Sequence, residues 1–388
     1  MKRFLLRLFA LLIAGTATVP AIQGTDTAEP RARDLGIPFA GTPGSLNAIT
    51  DVAGVQVGMI SLVSDDTGPH AARTGVTAIL PRGRTFDPVF AGWAVLNGNG
   101  EMTGTHWIRE GGFLEGPVMI TNTLSVGAVM DGVLKWQNEQ PDTQWRWAAL
   151  PVVAETWDHF LNDIYALHVR PEHAVTALHA ARGGPVAEGN TGGGTGMRLF
   201  RFKGGTGTAS RVFRIGGTEH VLGCLVQANF GRRDNLMIAG KPVGRLITNR
   251  QPETGPPAED PAESPAGHSV IVVLATDAPL LPHQLERVAR RAGIGVARTG
   301  GHATNGSGDL FLAFSTANPG AYEAEPTVPV TGLANSTIDT VFDAAIQATE
   351  EAIINALVAA ETMTGRNGHT LHAIPHDRLQ VLFGGEDD

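Results

Sequence analysis

The residue best placed to do chemistry is a serine at an abrupt change in composition. Residues 249–268 (NRQPETGPPAEDPAESPAGH) contain five prolines, four acidic side chains and no apolar periodicity, which predicts an exposed loop. Residues 269–276 (SVIVVLAT) follow directly and predict a buried central strand. Ser269 is therefore expected to be the first residue of a core strand, immediately behind a segment that is open to cleavage.

Cutting the bond before Ser269 would give one residue both a nucleophile and a base. A free α-amine has a pKa of about 7.7–8.0, so near neutral pH part of it is unprotonated and can take the proton of the neighbouring hydroxyl. The alternative is that Ser269 is simply the first residue of a strand that follows a surface loop. The residues alone favour this alternative.

Apolar periodicity along the rest of the chain predicts strands mixed with helices. Strands are predicted at 48–57, 76–80, 91–96, 117–121, 221–228 and 310–315, and helices at 125–137, 171–182, 282–292 and 338–360. Residues 152–161 start like a strand and end like a helix, and the last two dozen residues look irregular. This mixture favours a layered α/β fold over a strict alternation of strand and helix.

Length, composition and charge narrow the class of protein. The chain has 388 residues, of which 42% are hydrophobic, enough to build a sizeable core. Its 29 basic and 38 acidic residues give a net charge of -9. Because a nucleic-acid-binding protein needs a basic face, the balance argues against a nucleic-acid partner and mainly predicts solubility.

The N-terminus predicts an exported protein. Lys2 and Arg3 precede an apolar run at 4–14, and residues 19–21 (VPA) offer a small-residue cleavage site. This is the pattern of a secretory signal peptide over residues 1–21, and its apolar run is too short to span a bilayer. The expected location is the periplasm or the outside of the cell, with no membrane partner once the signal is removed. A buried first helix is the alternative, because Arg7 interrupts the run.

Other reactive groups carry weaker signals. Cys224 is the only cysteine and lies in an apolar run, so it is expected to be a core residue without a disulfide. The glycine-rich segments 188–197 and 203–208 complete neither a phosphate loop nor a dinucleotide fingerprint, and Gly-x-Ser-x-Gly is absent. Three C-terminal histidines stand beside an acid, but a proline breaks any shared helix face, which favours a solvated tail over zinc. They are His369, His372 and His376, with Asp377.

Several segments, in order, resemble one enzyme family. Residues 269–301 and 305–316 (NGSGDLFLAFST) are similar to the small subunit of the L-aminopeptidase/D-amidase and β-peptidyl aminopeptidase family. Earlier segments match it too: ITDVAGVQVG, GTHWIREGGFLEGPVMITNT, VVAETWDHFLNDI, GPVAEGNTGGGTGM and LVQANFG. The resemblance runs from about residue 33 to the C-terminal region.

This resemblance implies an architecture and a maturation step. The fold would be αββα, with two sheets sandwiched between helices, as in N-terminal-nucleophile (Ntn) hydrolases. The precursor would cut itself before Ser269 into a large subunit, 22–268, with 249–268 as an exposed processing loop, and a small subunit, 269–388. The pairs would assemble into a homo-oligomer, a tetramer of cleaved pairs. No metal and no organic cofactor is implied.

The resemblance also assigns roles to individual residues. Ser269 would be the nucleophile, and Ser307 and Asp309 the hydroxyl and carboxylate that orient it, although many relatives have glutamate in place of Asp309. Asn229 would donate to the developing oxyanion. From the residues alone, NGSGD is a plain turn and Asn229 is equally well a strand cap.

Two further assignments concern the substrate. Glu155 would hold the substrate's free ammonium group, and Trp157 would form an aromatic wall of its pocket. His268 is a departure, because relatives usually have a small residue before the cleaved bond. It is expected either to hinder self-cleavage or to assist it.

The expected activity is hydrolysis of the N-terminal residue from small peptides, amino-acid amides or esters through an acyl-enzyme on Ser269. The sequence does not distinguish L-, D- and β-amino acids. Two alternatives stand beside it: an acyltransferase of the ornithine acetyltransferase type, whose nucleophile is threonine, and a secreted binding protein without catalysis.

Overall fold

The computed structural model describes residues 30–255, 268–323 and 325–384. The predicted signal peptide and residues 256–267 of the predicted processing loop lie outside them. The strands are β1 (Gln56–Val63), β2 (Arg73–Arg84), β3 (Val89–Gly98), β4 (Phe113–Leu114), β5 (Val118–Asn122), β6 (Val152–Thr156), β7 (Arg198–Leu199), β8 (Phe202–Lys203), β9 (Gly205–Ile215), β10 (Thr218–Asn229), β11 (His268–Thr276), β12 (Ser307–Ser315), β13 (Met363–Thr364) and β14 (Thr370–Leu371). The helices are α1 (Thr105–Gly111), α2 (Val126–Glu139), α3 (Pro171–Ala180), α4 (Val243–Leu246), α5 (Pro282–Arg298), α6 (Asp339–Val358) and α7 (His376–Phe383).

Two sheets stack face to face and each carries helices on its outer side. One sheet has six strands in the order β4-β3-β12-β11-β10-β9, and the other has four in the order β1-β2-β5-β6. An apolar cluster fills the space between the sheets, a second joins the six-stranded sheet to α5 and α6, and a third joins the four-stranded sheet to α2 and α3. The predicted αββα layering is confirmed.

Strand β11 lies at the centre of this arrangement. Side chains alternate along a strand, so Val270 and Val272 pack against the helices while Ile271 and Val273 pack against the other sheet. Both faces of the strand are therefore buried, which accounts for its unbroken apolar run. β11 pairs antiparallel with β10 and parallel with β12.

Glycines let the layers approach closely. A Cβ on Gly207 in β9 would lie 2.0 Å from the carbonyl oxygen of Ala352 in α6. A Cβ on Gly58 in β1 would lie equally close to the carbonyl oxygen of Ala177 in α3. No side chain fits at either position, so part of the chain's high glycine content serves helix-on-sheet packing.

The structure corrects one predicted strand and one predicted helix. Residues 48–57 hold a short 3₁₀ turn, Ile49–Asp51, and the strand begins only at Gln56. The carboxylate of Asp51 accepts hydrogen bonds from backbone N–H groups before it, which favours the turn. After Thr156 the predicted helix is instead a tight turn, in which Leu161 N donates to Asp158 O at 3.2 Å.

One predicted helix boundary is also wrong, and one helix was not predicted. The helix expected to stop at Gly293 continues to Arg298, because Gly295 lets it pack against α6, where an added Cβ would lie 2.6 Å from the side chain of Thr349. The C-terminal residues, expected to be irregular, contain α7. Helix α7 has only eight residues, and so short an apolar pattern does not identify a helix in the sequence.

Cys224 and the three C-terminal histidines lie in separate parts of the fold. Cys224 is buried, as predicted, and burial raises the pKa of its thiol to about 12. The three C-terminal histidines make separate contacts with Phe160, Glu253 and the carbonyl of Val358. Within the described residues, no group of His, Cys, Asp and Glu is arranged to hold a metal ion. No helix in this part of the chain has the length and apolar character to cross a bilayer.

Candidate active site

The candidate nucleophile lies one residue inside β11, next to the bond it is expected to cut. Ser269 is 4% exposed, and its neighbours in the sheet are Asn229 on β10 and Gly308 on β12. Its hydroxyl donates to the carbonyl oxygen of His268 at 2.7 Å and accepts from the Gly308 N–H at 3.4 Å. The serine Oγ is thus held beside the carbonyl of the peptide bond before it.

The candidate residues divide between two faces of the six-stranded sheet. By the alternation along β10 and β11, Ser269 and Asn229 face the four-stranded sheet. His268, Ser307 and Asp309 line a cavity of about 190 Å³ on the helix side of the sheet. This division was not predicted from the sequence, because it arises from the pairing of β11 with β12.

Ser307 and Asp309 form a hydrogen-bonded pair beside the expected cleavage point. The Ser307 hydroxyl donates to Asp309 Oδ1 at 2.6 Å, and Ser307 is the register partner of His268. Burial raises the pKa of Asp309 to about 6, although the Ser307 hydrogen bond acts in the opposite direction. The other carboxylate oxygen, Oδ2, has no hydrogen-bond partner in the described part of the chain. The pair can therefore accept a further proton or donor.

His268 is fixed by its ring, in addition to its place in the strand. The Gly231 N–H donates to His268 Nδ1 at 3.1 Å. Gly231 has φ +90°, a left-handed conformation that favours glycine. Burial, and then the charges of Arg198 and Arg232, lower the pKa of His268 to about 4. The imidazole is therefore neutral at physiological pH, with its proton on Nε2.

Both the nitrogen and the oxygen of the Asn229 side-chain amide make hydrogen bonds. Its Nδ2 donates to the carbonyl oxygen of Trp157 at 2.8 Å, and its Oδ1 accepts from the Arg198 N–H at 2.7 Å. Opposed residues on antiparallel strands have Cβ atoms about 5 Å apart, so the Asn229 side chain lies next to Ser269 with a fixed orientation. A preoriented amide is what an oxyanion donor requires.

Glu155 lies in β6, the strand of the four-stranded sheet that packs against β11. Glu155 is 3% exposed, and its carboxylate accepts hydrogen bonds from the Glu101 N–H at 2.9 Å and from the Thr123 hydroxyl. Burial raises its pKa, and the two hydrogen bonds oppose that shift. A buried carboxylate with no basic partner among these contacts suits a cation brought by a ligand.

Trp157 follows β6 and is half-buried. Its backbone orients Asn229, and its ring stands edge-to-face to His159 and Tyr165, at centroid distances of 5.6 and 6.4 Å. The structure thus brings Trp157 to the side of the site that holds Asn229, as an aromatic wall would require.

Several groups that support the site were not predicted from the sequence. Thr123 ends the segment GTHWIREGGFLEGPVMITNT, whose resemblance to relatives pointed to the region without giving the residue a role. The backbone N–H groups of Gly231, Gly308 and Glu101 leave no trace in side-chain patterns, because any residue type can supply them.

A four-layer fold with a serine at the start of a central strand describes the Ntn class of hydrolases. Residues 47–371 match peptidase family S58, and the chain belongs to this family. The chain is 52% identical to "Beta-peptidyl aminopeptidase BapA" of Sphingosinicella microcystinivorans, over 97% of this chain and 96% of that one.

Solved structures agree with these sequence matches. The L-aminopeptidase D-Ala-esterase/amidase of Ochrobactrum anthropi, described as a variant of the Ntn-hydrolase fold, matches with a TM-score of 0.84 and 45% identity, over 92% of this chain and 99% of that one. A β-aminopeptidase of Burkholderia sp. matches with a TM-score of 0.82 and 45% identity, over 92% and 100%. The chain is accordingly an aminopeptidase, and both sequence-based alternatives lose their support.

Proposed function

We propose that this aminopeptidase matures by self-cleavage before Ser269 and then uses the freed serine to remove N-terminal residues from small peptides, amides or esters. The main observation that supports this proposal is the 2.7 Å hydrogen bond from the Ser269 hydroxyl to the carbonyl oxygen of His268. A hydroxyl held at that carbonyl is one short movement from attack on its carbon.

Maturation proceeds in two steps. Ser269 Oγ attacks the carbonyl carbon of His268 while the Ser269 nitrogen gains a proton and leaves, giving an ester and a free α-amine. Water then hydrolyses the ester, releasing the His268 carboxylate and restoring the hydroxyl. The Ser307–Asp309 pair, which stands beside this bond in the sheet register, supplies the groups that move the proton.

Turnover reuses the same hydroxyl. The α-amine takes the proton of Ser269 Oγ, which attacks the carbonyl of the substrate's first residue, and the leaving amine departs with that proton. Asn229 donates to the tetrahedral oxyanion, an interaction worth about 3 kcal/mol. Glu155 binds the substrate ammonium and Trp157 covers its side chain. Water then releases the acyl group.

The substrate class follows from the relatives' names and remains the broad one: N-terminal L-, D- or β-amino acids. We also propose that the protein is exported to the periplasm or secreted after loss of residues 1–21, and that cleaved pairs assemble into a homo-oligomer. The basic start and short apolar run support export.

Amino-acid p-nitroanilides test the proposed activity. The enzyme should hydrolyse those with a free amine and leave N-acetylated ones intact, because acetylation removes the charge that Glu155 binds. Glu155→Gln should raise KM by about tenfold or more, since a charge-assisted hydrogen bond contributes roughly 1.5–3 kcal/mol. Glu110→Gln, an exposed acid on α1, is the matched control and should leave KM unchanged. Equal turnover of acetylated substrates would refute the aminopeptidase geometry.

A further inference from the structure

One short segment touches both the candidate ammonium site and the strand next to the nucleophile. We call Asn99–Glu101, which follows β3, the spacer loop. At one end the Asn99 N–H donates to Ser307 O at 3.1 Å, and its side-chain amide donates to Gly306 O at 3.0 Å. At the other end the Glu101 N–H donates to Glu155 Oε1 at 2.9 Å. The loop therefore bridges β12 and Glu155.

Gly100 fills the gap between these two anchors. A Cβ added to it would lie 2.9 Å from the Cα of Gly308 and 3.2 Å from Glu155 Oε1. In the other direction, a Cβ on Gly308 would lie 2.7 Å from the Cα of Gly100. Gly308 is the register partner of Ser269 and donates to its hydroxyl. The spacer loop is thus in direct contact with both β12 and the Glu155 carboxylate, and one more carbon at Gly100 would not fit between them.

This contact bears on which substrates fit. An aminopeptidase site has two fixed points, the nucleophile at the scissile carbonyl and the carboxylate at the free ammonium. An α-amino acid separates these groups by one carbon and a β-amino acid by two, which adds about 1.5 Å of bond length. A difference of this size between the fixed points changes rates by up to about a hundredfold.

We infer that the spacer loop sets the distance between Ser269 and Glu155, and that Gly100 is a specificity-determining residue for α- against β-amino-acid substrates. The inference rests on the roles proposed above for Ser269 and Glu155. Adding a methyl group at Gly100 pushes Glu155 and Gly308 apart, so Gly100→Ala shifts preference toward the longer β-amino-acid substrates.

The test compares the wild type with Gly100→Ala and a matched control, Gly98→Ala. A Cβ on Gly98 would meet only Val95 Cγ1, at 3.8 Å, so the control adds the same methyl group two residues away without contact with either anchor. The substrates are the p-nitroanilides of L-alanine and of L-β-homoalanine, which share a methyl side chain. The measured quantity is the β-to-α ratio of kcat/KM, which does not depend on how much of the protein is folded or matured.

In Gly100→Ala this ratio should rise by about tenfold, and in Gly98→Ala it should stay within about twofold of the wild type. An unchanged ratio in an active Gly100→Ala enzyme would overturn the inference and leave the proposed function intact. A wild type that hydrolyses neither substrate, nor the p-nitroanilide of D-alanine, would instead remove the proposed function.

A second variant keeps the inference testable if Gly100→Ala fails to fold. Asn99→Ala removes the side-chain bond to Gly306 O and adds no volume, so the loop is loosened rather than displaced. The β-to-α ratio of kcat/KM should then move about threefold closer to one, mainly through changes in KM. A ratio equal to that of the wild type would overturn the inference.

Discussion

His268 and Asp309 face the same peptide bond from the helix side of β11, and their surroundings displace their pKa values in opposite directions. Burial and two nearby arginines lower the pKa of His268 to about 4, whereas burial raises that of Asp309 to about 6. Above pH 5 the imidazole is therefore neutral, and the carboxyl of Asp309 is the group of the two that changes charge near neutral pH. The uncut precursor should show this in its maturation rate.

Self-cleavage of the precursor should become faster as pH rises, with a midpoint near 6, because only ionised Asp309 can accept a proton through Ser307. The raised pKa also means that folded protein holds this proton more tightly than unfolded chain, so this group's contribution to stability falls as pH rises from 4 to 6. Asp309→Asn should give slow cleavage without this midpoint. Purified precursor, followed on denaturing gels at pH 5–8, gives the rates. A wild-type rate that is flat across this range would contradict the role of Asp309.

At the scale of elements, the sequence predicts what is local and misses what depends on pairing. The run at 269–276 identified β11 because a strand buried on both faces is apolar throughout. The opposite faces occupied by Ser269 and Ser307 follow from the register of β11 and β12, which no single segment encodes. Helix α5 extends beyond its predicted end at Gly293, because glycine in a sequence indicates the end of a helix. In the structure a second glycine, Gly295, is required for close packing of α5 against α6. The contact between α5 and α6 therefore decides where α5 ends, against the local preference of its glycines.

Close helix-on-sheet packing makes one glycine substitution costly. Gly207→Ala should lower the free energy of unfolding by about 1–3 kcal/mol or more, because its Cβ would collide with the α6 backbone and force the helix away from β9. Gly127→Ala is the matched control, since no atom lies within 4 Å of the added carbon. It should be neutral or slightly stabilising in α2. Urea unfolding of both proteins measures the difference, and equal losses in the two would refute the packing argument.

At the scale of the whole molecule, the expected cut does not divide the fold into separable parts. In the six-stranded sheet, β11 and β12 lie between β3 and β10, so strands from after residue 268 are flanked on both sides by strands from before it. Buried Glu351 on α6 adds ion pairs at 2.7 Å with Arg211 and Arg33, from the other side of the cut. Separation would break two strand ladders and leave buried charges unpaired.

The cleaved fragments should therefore stay together under native conditions. Size-exclusion chromatography with light scattering should give one species containing both fragments, with a mass that reports the number of pairs, while a denaturing gel shows two bands. Elution of the fragment 269–388 by itself would contradict the interleaved sheet.

Whether Ser269 cleaves its own chain is decided by the intact mass and N-terminal sequence of the purified protein, compared with those of Ser269→Ala. We expect the wild type to contain a fragment of residues 269–388 that begins Ser-Val-Ile-Val, and Ser269→Ala to remain a single uncut chain with no hydrolase activity. A wild type that stays whole, or an alanine variant that is cut at the same bond, would show that Ser269 does not cleave its own chain.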